Sequence, residues 1–457
     1  MALRAWVLTT AFLATGFIFA GPAQAQKALC PATAPAGAPG QPGIFFEGGE
    51  CTNGTTGAYS NAALASQSLG ELSQSSTQDA TRATMASVSE RRVSEQQSCP
   101  AGSIRVNGVC TPASEISRFA AEPQDTLAAA PDSLLAFAPR VTKAPVLRPV
   151  PDAPHMAVWA QAYGNYERLT GRGTGFGEFS ILALNVESTT RGGGVLGGAD
   201  YTFRNLGAAG DGLIVGALTG YEESHLSLVS SSISSVPTDK PNGLSTMKAQ
   251  LSGPAAGVYA SYFNGRFSTD LAFKAEFYNL DLVFTDFLGF HAVPPGFPPT
   301  NAVFSGAGTT QLNNYTTAGN VNYRIPTGIA TWIEPTGGFQ YIVSRYASGA
   351  EAFGLADGTL LRLQAGARFG FENIWNGVRI TTVATGLLYD DVVVTGGQLV
   401  TAPNPLLLST QGKLRGEGIF TLNLHHGNGV SSFVQADLRG GEGLFGATGK
   451  VGARMTW

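Results

Sequence analysis

From about residue 155 to the end, apolar or small residues alternate with polar ones at a period of two. The last thirteen positions show it most plainly: Phe445, Ala447, Gly449, Val451, Ala453, Met455 and Trp457 alternate with Gly446, Thr448, Lys450, Gly452, Arg454 and Thr456. The same spacing runs from Leu361 to Phe369, from Leu271 to Phe277 with Lys274 and Glu276 opposite, and from Leu414 to Leu424. It returns where Val434, Ala436 and Leu438 face away from Gln435, Asp437 and Arg439. Successive side chains of a strand point to opposite faces, so this pattern predicts strands. Counting such segments gives twelve, at 157–168, 189–204, 212–225, 246–264, 266–285, 310–325, 329–346, 359–373, 377–394, 413–426, 431–440 and 445–457. Asn264-Gly265 and Gly427-Asn428-Gly429 read as tight hairpin turns, and 226–244, 286–309 and 395–412 as long extracellular connections.

A soluble sandwich alternates too. Composition separates the two. Charged residues make up 13% of the chain, against about a quarter in an ordinary soluble protein. The polar face of the strands is built of Gly, Gln, Thr and Asn rather than Lys and Glu. That face suits a crowded lumen, and the Leu, Val, Ala and Phe face suits hydrocarbon, where a midplane Arg or Lys costs roughly 2–4 kcal/mol. Backbone groups in lipid must all be paired, so such strands have to close on themselves. An even strand number brings both barrel ends to the periplasmic side. The expected fold is an all-β transmembrane, 12-stranded antiparallel outer-membrane β-barrel. After the first 20 residues no run approaches the roughly 18 apolar residues of a spanning helix, and a net charge of -4 without charge blocks gives no nucleic-acid surface. Arg362, Arg368, Arg415, Glu417, Arg439, Lys450 and Arg454 fall on the lumen side. A salt-bridged packing and a lining for ions or a passing chain fit them equally.

The region before the barrel is short, partly helical and holds the disulfide candidates. Residues 1–25 read as a secretory signal: Arg4, an apolar stretch from Ala5 to Ala20, and Ala23-Gln24-Ala25 before Gln26. Composition shifts near residue 150, which divides the rest into a passenger-like region 26–114, a segment 115–152 with a candidate pore helix and a Pro-rich connector, and a barrel domain 153–457. The stretch 62–97 is dense in Ala, Ser, Gln, Glu and Arg, which predicts a helix, but its apolar positions keep no heptad register. All four cysteines, Cys30, Cys51, Cys99 and Cys110, lie here. An exported chain meets an oxidising compartment, so they are candidate disulfide partners, with neighbour pairing closing the smallest loops. Long spacings and the lack of His among them weigh against zinc.

Four segments resemble the translocator barrel of bacterial autotransporters: Val158-Trp159-Ala160-Gln161-Ala162-Tyr163-Gly164; Gly197-Gly198-Ala199-Asp200-Tyr201 followed by Leu213 to Tyr221; Trp332-Ile333-Glu334-Pro335; and the closing Val451 to Trp457. The resemblance covers about 300 residues of the chain and implies that Trp457 is part of the signal read by the outer-membrane assembly machinery. It also implies a helix threading the pore, for which Glu115 to Phe137 is the candidate although Pro123 and Pro131 interrupt it. The passenger-like region is too short and unrepetitive for the solenoid common in that family.

No Gly-x-Ser-x-Gly, His-Glu-x-x-His or Gly-Asp-Ser motif occurs in a catalytic context. Asp390-Asp391 and His425-His426 fall at opposite ends of their strands, too far apart to cooperate. No enzyme, metal or cofactor is expected. The expected function is to anchor the short N-terminal region and carry it to the cell surface, with outer-membrane lipid, the assembly machinery and the Sec translocon as partners. The alternatives are a porin-like or structural barrel whose N-terminal region stays in the periplasm and, behind it, a surface hydrolase.

Overall fold

The computed structural model describes residues 45–47, 50–52, 57–60, 69–97, 103–106, 109–112, 155–176, 181–208, 211–234, 244–290, 300–328, 330–348, 350, 355–375, 378–395, 411–427 and 429–457. A helix, α1 (Leu69–Gln97), precedes twelve long strands: β1 (His155–Phe176), β2 (Ile181–Arg204), β3 (Gly212–Ser234), β4 (Leu244–Asn264), β5 (Phe267–Phe290), β6 (Thr300–Tyr323), β7 (Thr331–Tyr346), β8 (Gly358–Trp375), β9 (Val378–Thr395), β10 (Arg415–Gly427), β11 (Val430–Gly441) and β12 (Leu444–Thr456). Each long strand pairs antiparallel with its neighbours in sequence, and β12 returns to β1 from Leu444↔Leu169 to Thr456↔Ala157. Beyond the last pair, the Met156 and Trp457 amides and carbonyls exchange two hydrogen bonds of 3.0 Å. The expected closed twelve-stranded barrel is therefore the fold, and Trp457 sits on its seam. The end where β1 starts and β12 finishes is called the base, the other end the rim.

Strand lengths are uneven. β1 to β6 have 21 to 24 residues, β10 to β12 only 12 or 13. A crossing takes about 9–11 residues, so one flank of the wall rises far beyond the bilayer at the rim. Side-chain polarity inverts along the rising strands. In β5, Leu271, Phe273 and Phe277 face outward with Asp270, Lys274 and Glu276 inside; one turn of the pleat higher, Asn279 and Asp281 face outward while Leu280 and Leu282 are buried inside. β3 changes in the same way, from outward Val215 and Tyr221 to outward Glu223 and His225 with Leu226 and Leu228 inside. Lipid selects the lower pattern and water the upper, so the inversion marks where the strands leave the membrane. It also corrects the expected loops: 226–234, 286–290 and 300–309 continue the ladders of β3, β5 and β6, because backbone pairing persists after lipid stops dictating the outward face.

Short strands Phe45–Glu47, Glu50–Thr52 and Gly57–Ser60 pair in sequence, and the last joins the rim end of β5 through Leu288↔Ser60 and Phe290↔Ala58. A small hairpin, Ser103–Val106 with Val109–Pro112, follows α1. The segment 115–152, expected to supply the pore helix, lies outside the described residues, as do Cys30 and Cys99; Cys51 and Cys110 fall in short strands whose side chains are not described.

Candidate functional site

The helix that fills the lumen is α1. Its sequence, Leu69-Gly70-Glu71-Leu72-Ser73 onward, is polar on all sides and rich in Ser, Thr, Ala and Gln. Such a helix finds no place against an apolar core, but it matches a polar wall, and its small side chains let the strands approach. Thr77, Ala83, Thr84, Val88, Arg91 and Arg92 are buried. At 29 residues and 1.5 Å per residue it is about 44 Å long, more than the roughly 30 Å of hydrocarbon.

Contacts fix its direction. Near the start of α1, the Ser73 hydroxyl lies 3.0 Å from that of Tyr346 and Gln74 Nε2 donates to the Thr395 carbonyl at 3.5 Å, both at rim ends of strands. Midway, Asn314 donates to the Thr77 hydroxyl (2.6 Å) and Asp79 pairs with Arg439 (2.6 Å). Below them Ala80, Ala83, Met85 and Val88 pack with Trp159, Tyr163, Leu218 and Tyr259. Toward the base, Arg91 Nε donates to Asp200 (2.7 Å) and its Nη2 to Thr202 (2.8 Å). Arg92 pairs with Asp270 (3.1 Å) and Glu334 (3.2 Å). Glu95 pairs with both Arg91 and Arg204. Three carboxylates from β2, β5 and β7 thus grip two adjacent guanidinium groups. Removing one partner of a buried pair strands the other, at a cost of about 3–5 kcal/mol.

All seven sequence-derived lumen candidates project inward. Arg439 binds Asp79 of α1 and Glu167 of β1 (3.0 Å). Arg368 bonds Ser89 of α1 (2.7 Å) and Glu334 (3.1 Å). Arg454 donates to the Ser87 carbonyl (3.1 Å), and Glu417 lies 3.7 Å from Arg82. Arg362 forks onto Asp391 (2.7 and 3.0 Å) and stacks on Tyr389. Lys450 and Arg415 are buried in the wall. Arg368, Arg439, Arg454 and Glu417 therefore meet the helix directly.

Sequence reasoning missed the other half of these contacts. Asp200 and Glu334 stand in the segments of the resemblance without a role, and Glu222, Asp270, Asp79, Arg82, Arg91 and Arg92 were not singled out. The available signal was Glu90-Arg91-Arg92, with Asp79, Arg82 and Glu95 close by in a Ser- and Ala-rich stretch, to be matched with carboxylates at polar-face positions of β2, β5 and β7. Lys274, noted for its face, bridges Glu222 and Glu276 at 2.7 Å each, with Tyr278 donating to Glu222 (2.6 Å). The ladder pairs Arg379 with His425 and so separates the Asp390-Asp391 and His425-His426 pairs by at least eleven positions, about 36 Å at 3.3 Å each.

The autotransporter β-domain family model matches residues 158–437. Among solved structures, the chain is similar to the β-domain of the Bordetella autotransporter BrkA (15% identity, TM-score 0.41, covering 66% of this chain and 98% of that one). It is also similar to the transport unit of the autotransporter AIDA-I from Escherichia coli (14%, TM-score 0.40, 65% and 90%) and to the translocator domain of autotransporter NalP from Neisseria meningitidis (14%, TM-score 0.38, 66% and 88%). No curated protein matches the chain. With more than half its length matched by that one model, and with a closed outer-membrane barrel threaded by a helix, the chain belongs to the autotransporter β-domain family.

Proposed function

We propose that this protein is a non-catalytic membrane anchor that holds α1 docked in its barrel and so presents the residues before α1 on the cell surface. The direction of α1 carries the reading: Ser73 and Gln74 meet strand ends at the rim, while Arg91 and Arg92 meet carboxylates near the base. Pairing of Gly57–Ser60 with the tip of β5 supports it, since that tip stands above the polarity inversion. Trp457, at the seam and half exposed, serves in this reading as the assembly signal toward the outer-membrane insertion machinery, after export through the Sec translocon. A protease-cleavable tag placed just after Gln26 tests the reading in intact cells. Cleavage from outside is expected; protection until the outer membrane is permeabilised would support the porin-like alternative with a periplasmic N-terminal region.

A further inference from the structure

The base end of the lumen opens on the segment that joins α1 to β1. α1 ends at Gln97 and β1 begins at His155, so residues 98–154, 57 in all, join two points at the same mouth. Both points are fixed by contacts. Glu95, one half-turn before the helix end, pairs with Arg204, the last residue of β2 at the base. His155 pairs with Thr202 and Met156 with Trp457, at the base as well. The base is the end without the risen, inverted-polarity wall, and it lies on the periplasmic side.

A chain leaving Gln97 could reach the far side only through the lumen, and α1 already fills it. A gap beside the helix, between Ala86 and Glu90 on α1 and Arg368, Glu417, Asp437 and Lys450 on the wall, holds about 110 Å³. That is space for on the order of eight waters at about 10–15 Å³ each. A further extended crossing would need about 9–11 residues, each many times bulkier than a water. The gap lies in the half of the lumen where α1 stands farther from the wall.

We infer that residues 98–154 stay in the periplasm when the region before α1 is carried out, so that one chain exposes a segment on each side of the membrane with α1 as the crossing. The hairpin Ser103–Val106/Val109–Pro112 starts six residues after Gln97, which at about 3.3–3.6 Å per residue keeps it within roughly 20 Å of the periplasmic mouth. Length alone does not tether the helix: 57 residues reach far more than the 44 Å of α1, so a free connector could follow the helix outward. The pairs of Arg91 and Arg92 with the wall set the point where export stops. This inference rests on the surface reading above.

Lysines report sidedness without any insertion. Lys27 lies before α1, Lys143 within 98–154, and Lys248 is exposed on the risen wall of β4. Intact cells making the unmodified full chain are treated with a membrane-impermeant amine reagent, and modified peptides are quantified by mass spectrometry, with and without outer-membrane permeabilisation. The expected result is labelling of Lys27 and Lys248 in intact cells, with Lys143 rising at least tenfold only after permeabilisation. Labelling of Lys143 in intact cells to the level of Lys248 overturns the inference. Labelling of Lys248 alone in intact cells overturns the surface reading and leaves the periplasmic placement of 98–154 standing. A second arm, a protease-cleavable tag inserted between Asn107 and Gly108, must agree: cleavage in intact cells overturns the inference on its own.

Discussion

Arg92 concentrates the argument at the level of single residues. Its guanidinium is fully buried between Asp270 on β5 and Glu334 on β7, and Glu334 also receives Arg324 and Arg368. Arg92→Ala removes the cation and leaves Asp270 short of a partner, which predicts a loss of about 3–5 kcal/mol in helix docking. Arg92→Lys keeps the charge but loses the fork that spans two carboxylates, and should fall between the two. The temperature at which the folded barrel shifts to its unfolded mobility on a gel, compared with that of a chain lacking α1, measures both; equal midpoints for Arg92→Ala and the parent would contradict the clamp. Asp211, in the turn before β3 at the base, behaves differently. Burial favours its neutral form, but the amides of Leu206, Gly207 and Ala208 donate to its carboxylate and outweigh that, with Tyr262 adding a fourth bond, so its titration lies below the ordinary 3.8. A depressed carboxyl pKa contributes stability above the unfolded value and loses it as pH falls through the folded one. The three amide resonances should therefore titrate together below pH 3.8, and Asp211→Asn should abolish that common transition; three unrelated midpoints would refute it.

Elements differ in how far they could be read from the chain. Strands in the membrane were legible because lipid forces an apolar outward face, and all twelve appear near the expected positions. Their extensions above the rim were not: at Asn279 and Asp281 the outward face turns polar while the strand continues, so a reader holding the facing constant ends the strand too soon. α1 was legible as a helix from its Ala, Ser and Gln content, but not as the pore helix, because amphipathicity is the usual sign of a buried helix and a polar lumen does not require it. Cross-strand fit inside the wall was equally hidden. Trp332 on β7 lies opposite Gly370 on β8, and a Cβ at Gly370 would sit 2.0 Å from the indole. Tyr259 covers Gly216 in the same manner, at 2.3 Å. Gly370→Val must displace a large buried ring and should lower the yield of folded barrel severalfold, whereas Gly386→Ala, where a Cβ meets open space, should fold like the parent. Equal folded fractions for the two variants, read by heat-modifiable migration, would remove the packing role assigned to Gly370.

The molecule as a whole couples two properties that its parts do not have alone: the wall seals only with the helix inside, and the helix is buried only with the wall around it. Thr77, Ala83, Thr84 and Arg92 on α1 and Ile214, Leu251, Ser261 and Lys274 on the facing strands are 0–1% exposed, so helix and wall are closely packed on the β2 to β7 side. Toward β8 to β10 the fit is looser, and inward Gln364, Thr385, Leu387 and Ile419 keep partial exposure beside the gap. Emptying the lumen of α1 would replace a slot of about 110 Å³ with a channel as wide as a helix, about 10–12 Å. Docking strength and ion leakage must then move together. In planar lipid bilayers the full chain should show low conductance, and Arg91→Ala/Arg92→Ala should add brief openings of much larger, uniform amplitude, matching those of a chain without residues 69–97. The openings should lengthen at high salt, which screens the remaining wall pairs, including Arg439 with Asp79 near the middle of α1. If the double variant conducts like the parent at every salt concentration, the charge clamp is not what keeps the helix in the barrel, and the apolar cluster around Trp159 and Tyr259 holds it instead.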